Sequence, residues 1–505
     1  MKGKNEVSTI IISTLLFTFL FYKKSLGLNL VLFECLFFIF LVATRQIQFK
    51  TNIQILGILG VCLTSIFTII TYSTFIYVIH FIVLFIFIGG LNFPKSKSLI
   101  SVLRTSLFSL LQSQNKFISK IFNSNSKRKK LFLSIWNSRI FVIPALIVFI
   151  FILIYSASNS EFNELVTKGV TFLQIGINFI LKDIEFLIII TFFIGIIISN
   201  FLFIRITSNA IETWDEASSN TLIRSKRGKR KPFGILALKN EYKAATFLLF
   251  TLNIILLLVN VLDIYWVWFN FNWTGQLLKK FVHEGTYLLI FSILISIAII
   301  LFFFRRSLNF YKENKLLKIL GYAWLIQNAV LTISVGIRNF WYINHYALAY
   351  KRIGVIIFLL LVLYGLYTVF VKIKDKKTTH YLWSSNAIAI YIVLVISSLI
   401  NWDNIIATYN FKHSEKSYVH LEYLSSLSNK AIPLLEKSVS ELHQIEKNQK
   451  EIFSVSKHEM TPKGYYKIIE NRKQSFKNNW ESKSFIEWNF TEYLAYSKLF
   501  INDRD

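Results

Sequence analysis

The sequence predicts an all-α fold: a polytopic transmembrane helix bundle of about eleven spans followed by a small helical, soluble C-terminal tail. Three observations predict it. Of 505 residues, 54% are hydrophobic, more apolar surface than one soluble core buries. Apolar runs of about twenty residues, enough to cross a hydrocarbon layer of roughly 30 Å, recur as far as residue 400. Charge is also unevenly placed: residues 1–400 hold 41 Lys and Arg against 14 Asp and Glu, whereas residues 401–505 hold 15 against 14. The net charge of +28 therefore belongs to connections between runs, the pattern that orientation by cytoplasmic positive charge produces. A basic surface of this kind meets anionic phospholipid at its loops, and no nucleic acid is expected as a partner.

Taken in order, the runs place spans near 7–22, 26–44, 53–71, 75–91, 140–156, 184–204, 244–269, 285–304, 319–337, 353–371 and 384–400. The first follows Lys2 and Lys4 and lacks a small-residue cleavage site, so it reads as a span rather than a signal peptide. Only a few residues around Lys23 and Lys24 separate the first two spans, and Tyr72 to Thr74 the next two, which predicts tight antiparallel hairpins. Between spans four and five, Leu99 to Phe122 has the spacing of an amphipathic helix lying on the membrane. Phe162 to Leu181 has a similar pattern, interfacial or re-entrant, and Pro144 marks a kink site within span five. Cys35 and Cys62 both fall inside apolar runs, where a thiol behaves as a small hydrophobe.

The basic segments Lys95 to Arg139, Arg205 to Lys243 and Lys372 to Lys377 belong on the cytoplasmic side of a bacterial inner membrane. Alternation then puts the N-terminus inside and everything after Ile400 outside, with Lys23 and Lys24 outside against the trend. Three regions follow: 1–230 with about six spans, 231–400 with about five, and the tail 401–505. In the tail, Leu434, Leu435, Val439, Leu442 and Ile445 mark one helix face. Trp480, Phe485, Trp488, Tyr493 and Leu494 supply bulk that disordered segments lack, so the tail is expected to fold and dock on the outer end of the bundle.

Catalytic signatures are missing: there is no Walker loop, no dinucleotide turn and no histidine pair with metal spacing. His283 and Glu284 begin as a zinc-protease motif would, yet Tyr287 stands where the second His is required, so a structural or ion-pairing role is favoured. Cofactors are accordingly not expected, and the balance is against an enzyme. What remains are polar residues at positions where lipid makes them costly. They are Glu34 in span two, Asn253, Asn260 and Asp263 in span seven, and Gln327, Ser334 and Arg338 on one face of span nine. For span seven, interhelical hydrogen bonding outweighs a transport site; for Glu34 the two readings balance. Arg338 calls for an anionic partner, with Asp263 and Glu284 as candidates. His345 sits in a loop where solvation is the ordinary reading, and Trp402 with Asp403 forms the step from the last span into the tail.

The stretch LGYAWLIQNAVLTISVGIRNFWYINHYALAYKRIGV, preceded by HEGTYLLIFSILISI and followed by NWDNIIATYN, resembles the bacterial membrane-protein family called domain of unknown function 4173, common in Bacteroidetes. HLEYLSSLSNKAIPLLE and EWNFTEYLAYSKL resemble that family's tail, so the likeness covers about residues 235–500. It implies an inner-membrane protein of unassigned activity and transfers no catalytic residue. Two functions stay open. One is a non-enzymatic membrane regulator or assembly component, working with a membrane or envelope protein. The alternative is a transporter or flippase for a small or lipid-linked anion, its path lined by Arg338, Asp263 and Glu284; neither broken helices nor repeated halves support it.

Overall fold

The computed structural model describes residues 3–46, 51–122, 142–180, 185–223, 234–271, 275–304, 307–453 and 460–501. The bundle comprises α1 (Gly3–Phe21), α2 (Leu28–Ala43), α3 (Asn52–Ile70), α4 (Thr74–Asn92), α5 (Leu99–Phe122), α6 (Val142–Ser158) and α7 (Ser160–Ile180). It continues with α8 (Phe186–Phe203), α9 (Asn209–Ala217), α10 (Gly234–Asp263), α11 (Gly275–Phe303), α12 (Lys315–Tyr346), α13 (Tyr350–Lys374) and α14 (Thr379–Ser398). Among the described residues, eight helices are long and apolar enough to cross a membrane: α3, α4, α8 and α10 to α14. Three further helices, α1, α2 and α6, of 19, 16 and 17 residues, stand where the other three spans are expected.

The hairpins close through residues in the left-handed region rather than through glycine. Lys23, Tyr72, Ala347 and Lys376 have φ of 53°, 44°, 61° and 51°, and each ends a helix just before the next begins. On the far side of each turn a small polar residue often takes over. Ser73 accepts a hydrogen bond from the Ile76 amide and Thr378 from the Tyr381 amide, satisfying donors that the first turn leaves free. Pro144 is the third described residue of α6, and the residues before Val142 lie outside the described ones.

The bundle has two distinct ends. One end carries the connections at 22–27, 71–73 and 346–349, and the tail sits on it. Leu28 N donates to Trp488 O at 3.1 Å, Lys430 Nζ to Thr71 O at 2.9 Å, and Leu348 N to Asn410 Oδ1 at 2.8 Å. At the opposite, basic end Arg205 Nε donates to Gln46 Oε1 at 3.0 Å and Leu222 N to Lys376 O at 2.8 Å. Lys23, at the tail end, pairs at 2.5 Å with Glu185, which neutralises one of the two basic residues expected against the trend.

α5 packs across α4, α8 and α14 by a hydroxyl-bearing side, where Ser101, Thr105, Ser106, Ser109 and Ser113 are all buried, and leaves Leu107 and Leu111 exposed on its other side. Ser106 Oγ donates to Phe85 O at 2.6 Å and Asn92 Nδ2 to Ser109 Oγ at 2.8 Å. Small residues permit this approach, because a Cβ on Gly89 would lie 2.4 Å from Val102 O. The start of α5 is held by Asp215 of α9, whose carboxylate accepts from Lys97 N at 2.9 Å and from the Ser101 hydroxyl, a favourable charge at the positive helix end. α7, over the segment expected to be interfacial or re-entrant, is one unbroken helix that follows α6 directly after Asn159.

Two apolar cores fill the bundle. The first draws on α2, α3, α4 and the end of α8, and also takes Tyr391 and Val395 from α14. The second lies among α10, α11, α12 and α13 and also takes Leu382 from α14. In the tail, α15 (Trp402–Lys412), α16 (Leu421–Ser425), α17 (Ile432–Leu435), α18 (Val439–Ile452), α19 (Pro462–Glu481) and α20 (Phe490–Tyr496) surround a third core that includes Leu424, Leu435, Tyr465 and Phe476 and reaches Ile353 of α13. The apolar positions from Leu434 to Ile445 do not share one helix. Ser438 interrupts them as the cap of α18, with Glu441 reaching back to its amide, a capping box written in the sequence as Ser-Val-Ser-Glu.

Gly27 marks where the tail meets α2 most closely: a Cβ there would sit 2.6 Å from Glu487 O, a backbone atom that cannot swing aside. Gly27→Val should cost about 1–3 kcal/mol as an overpacked contact. Limited proteolysis in detergent is expected to cut faster between residues 481 and 490; an unchanged cleavage pattern would show that this contact is not held in solution.

Candidate functional site

Three polar centres are built into the fold. The first surrounds Glu34, which α2 buries two turns below its start. α3 and α4 bring partners to the same level. His80 Nε2 lies 2.6 Å from Glu34 Oε1, Ser65 Oγ donates to Glu34 Oε2 at 2.6 Å, and His80 Nδ1 lies 2.9 Å from Thr64 Oγ1. The Thr64 hydroxyl lies 2.7 Å from Gly60 O, and when its proton points there Nδ1 is the donor toward Thr64. One proton then remains between Nε2 and Oε1. Whichever atom holds it, the pair is neutral overall, which is what makes a carboxyl and an imidazole tolerable among Phe33, Phe37 and Val83.

His80, Ser65 and Thr64 escaped the sequence reading. The available signals were one histidine in the run TFIYVIHFIV and an adjacent hydroxyl pair in α3, and neither points to Glu34 without the helix packing.

The second centre is a seam between α10 and α12. Gln327 Nε2 donates to Asn253 Oδ1 at 2.8 Å, and Asn260 Nδ2 to Gln327 O at 3.1 Å. One turn further, Arg338 Nη2 meets Asp263 Oδ1 at 2.5 Å, with both side chains largely buried. After Asp263 the helix widens into a π turn, Ile264–Phe269, which carries Trp268 Nε1 to within 2.8 Å of Ser334 Oγ. α11 runs beside the pair, since a Cβ on Gly285 would lie 3.2 Å from Arg338 Nη1. His283 and Glu284 occupy the preceding turn of α11, and their side chains lie outside the described residues. The polar faces of α10 and α12 thus close on one another, as interhelical hydrogen bonding requires.

The third centre locks the tail. Asp403, buried at the start of α15, accepts from Tyr350 Oη at 2.7 Å and from Ser428 Oγ at 2.5 Å. Lys430 Nζ stands 3.4 Å from the same carboxylate while donating to Thr71 O. Burial pulls the Lys430 ammonium below its usual range, and the Asp403 carboxylate pulls it back up. Trp402 opens α15 and donates from Nε1 to Ser397 O at 2.8 Å. His345 is not a loop residue: it belongs to the last turn of α12, with its ring edge-on against Phe453 and its carbonyl accepting from Tyr418 N at 2.7 Å.

The profile of a family described as Domain of unknown function (DUF4153) matches residues 27–438. The chain belongs to the DUF4153 family. Its number differs from that of the family suggested by the sequence resemblance, and the match begins near residue 27 rather than 235. Comparison with curated proteins gave no match, and neither did comparison with solved structures. The DUF4153 match takes in all three centres, from Glu34 to Lys430, and stops just before α18. Glu487 and Trp488, which bind the tail to the first hairpin, lie beyond it.

Proposed function

We propose that this DUF4153 chain is a non-enzymatic membrane component, a regulator or an assembly partner, whose span bundle holds a folded tail at the outer surface of a bacterial inner membrane. The observation that carries this reading is the tail lock, in which one buried lysine, Lys430, joins the α3–α4 turn to Asp403 and thereby to α13. A bundle built to present a domain needs such rigidity. A conduit needs a path, and of the side chains nominated for one, Arg338 and Asp263 pair with each other across the α10–α12 seam, beside Asn253, Asn260 and Gln327, which bond between the same two helices. The transporter or flippase reading is therefore the weaker one.

In this reading α1, α2 and α6 cross together with the other eight helices, giving eleven spans. The placement of α1 and α2 favours it, because the 22–27 turn between them lies at the tail end while Gln46, just past α2, lies at the basic end. Anionic phospholipid faces the basic loops, and the partner, a membrane or envelope protein, meets the tail. The regions 1–230, 231–400 and 401–505 serve respectively as basic platform, second bundle and presented unit. A C-terminal alkaline-phosphatase fusion should be active and a C-terminal GFP fusion dark. The reverse pair of results would place the tail in the cytoplasm and end this reading.

A further inference from the structure

On the basic end, α5 and the extended connection after α8 line an open surface cavity of about 560 Å³. Its wall on α5 is a stripe at helical spacing, Gln112, Asn115, Lys116 and Ser119, and opposite stand Arg205 and Thr207. No acidic residue lines it. Lys116 Nζ donates once, to Arg205 O at 3.1 Å, which leaves two ammonium protons for another acceptor. Arg205 is positioned from behind by Gln46 and by Leu202 O, and its Nη2 is buried with no partner among the described residues. Burial lowers the guanidinium to about 10, so it stays charged at neutral pH.

The surroundings say what kind of anion fits. Along the same helix, Leu107 and Leu111 are exposed at 57% and 61%, the first next to Phe108 and the second next to Gln112, both in the cavity wall. The middle of α5 packs beside Phe85 to Asn92, the last turns of α4, so the cavity lies level with the ends of the apolar helices, where headgroups begin. We infer that this cavity binds the phosphate of an anionic phospholipid, with Lys116 and Arg205 supplying the charge and Leu107 and Leu111 flanking the acyl chains. The inference rests on the reading that the basic end lies at a membrane surface, but its test does not depend on which side that surface faces.

Native mass spectrometry of the whole chain in detergent, titrated with phosphatidylglycerol, phosphatidylcholine or inorganic phosphate, is the direct measurement. The first phosphatidylglycerol should bind more tightly than phosphatidylcholine. Lys116→Gln should weaken it about fivefold, the worth of one basic charge near an anionic surface. Lys312→Gln, at the same end but outside the cavity, should change it little. Equal binding of the two lipids, or equal losses from the two variants, would overturn the site and leave only diffuse attraction. Displacement of phosphatidylglycerol by an equal concentration of inorganic phosphate would overturn the lipid and leave a site for the free ion. Should Lys116→Gln melt early, Thr207→Val tests the same wall without touching the Arg205 contact. A negative result here leaves the fusion-reporter outcome untouched, so the two readings fail separately.

Discussion

Asp263→Leu and Arg338→Leu should each cost the folded protein about 3–5 kcal/mol, because each leaves an ion buried beside the α10–α12 seam without its partner. Thermal unfolding of the purified chain in detergent reads this as an earlier melt for both single variants. The double variant is the informative one. Two leucines of ordinary volume facing each other restore apolar packing, so the double change should cost less than the sum of the singles. Strict additivity would mean that the pair does not interact in solution. The same cycle also bears on the transporter reading: a double variant as stable as the wild type would identify the pair as a fastening.

Lys430→Leu should release the tail. Its ammonium answers two carbonyls of the α3–α4 turn and the Asp403 carboxylate, and the side chain is 2% exposed while that of Asp403 is 6% exposed. Removing the cation leaves Asp403 buried with only two hydroxyl donors, again a loss of about 3–5 kcal/mol, now concentrated at one joint. Limited proteolysis should then cut between residues 412 and 420 while the bundle stays intact. Lys437→Leu, on the same domain but outside the lock, serves as the comparison. Equal resistance of the two variants would show that the lysine contributes nothing to docking.

The parts of the fold that follow from period and length were legible in the sequence. Each of the eleven apolar runs coincides with a helix, and the tail's aromatic residues do report a folded unit. What could not be read depends on chain reversal and on depth. Lys23, Tyr72, Ala347 and Lys376 take conformations usually given to glycine, so nothing in the text announces the stops. In α5 the residues that look polar are small, and a serine is as suitable for close helix contact as for water; periodicity alone does not show that the hydroxyl-bearing side is packed against the bundle. Arg338 and Asp263 were readable as a pair because both are costly in lipid and both fall near the same helix end. Glu34 was readable as a residue in need of a partner, but His80 lies 46 positions away and becomes that partner only through the packing of α2, α3 and α4.

The membership of α14 in the first core has a consequence for how the molecule is made. Tyr391 Oη donates to Leu56 O across 335 positions, and Gly60 lies directly beneath the same ring. During synthesis, α2 to α4 and α8 emerge early, but the groove on α3 remains open until the last span has been delivered. Contacts of such separation form late, because the loop must close before they reward it. The nascent protein therefore passes through a stage in which a second core that lacks only Leu382 and Tyr381 of α14 is tethered to a first one whose α3 groove is still open. A chain stopped before Thr379 would be left at that stage, with a bare helix seam available to chaperones, to proteases or to the α14 of another copy.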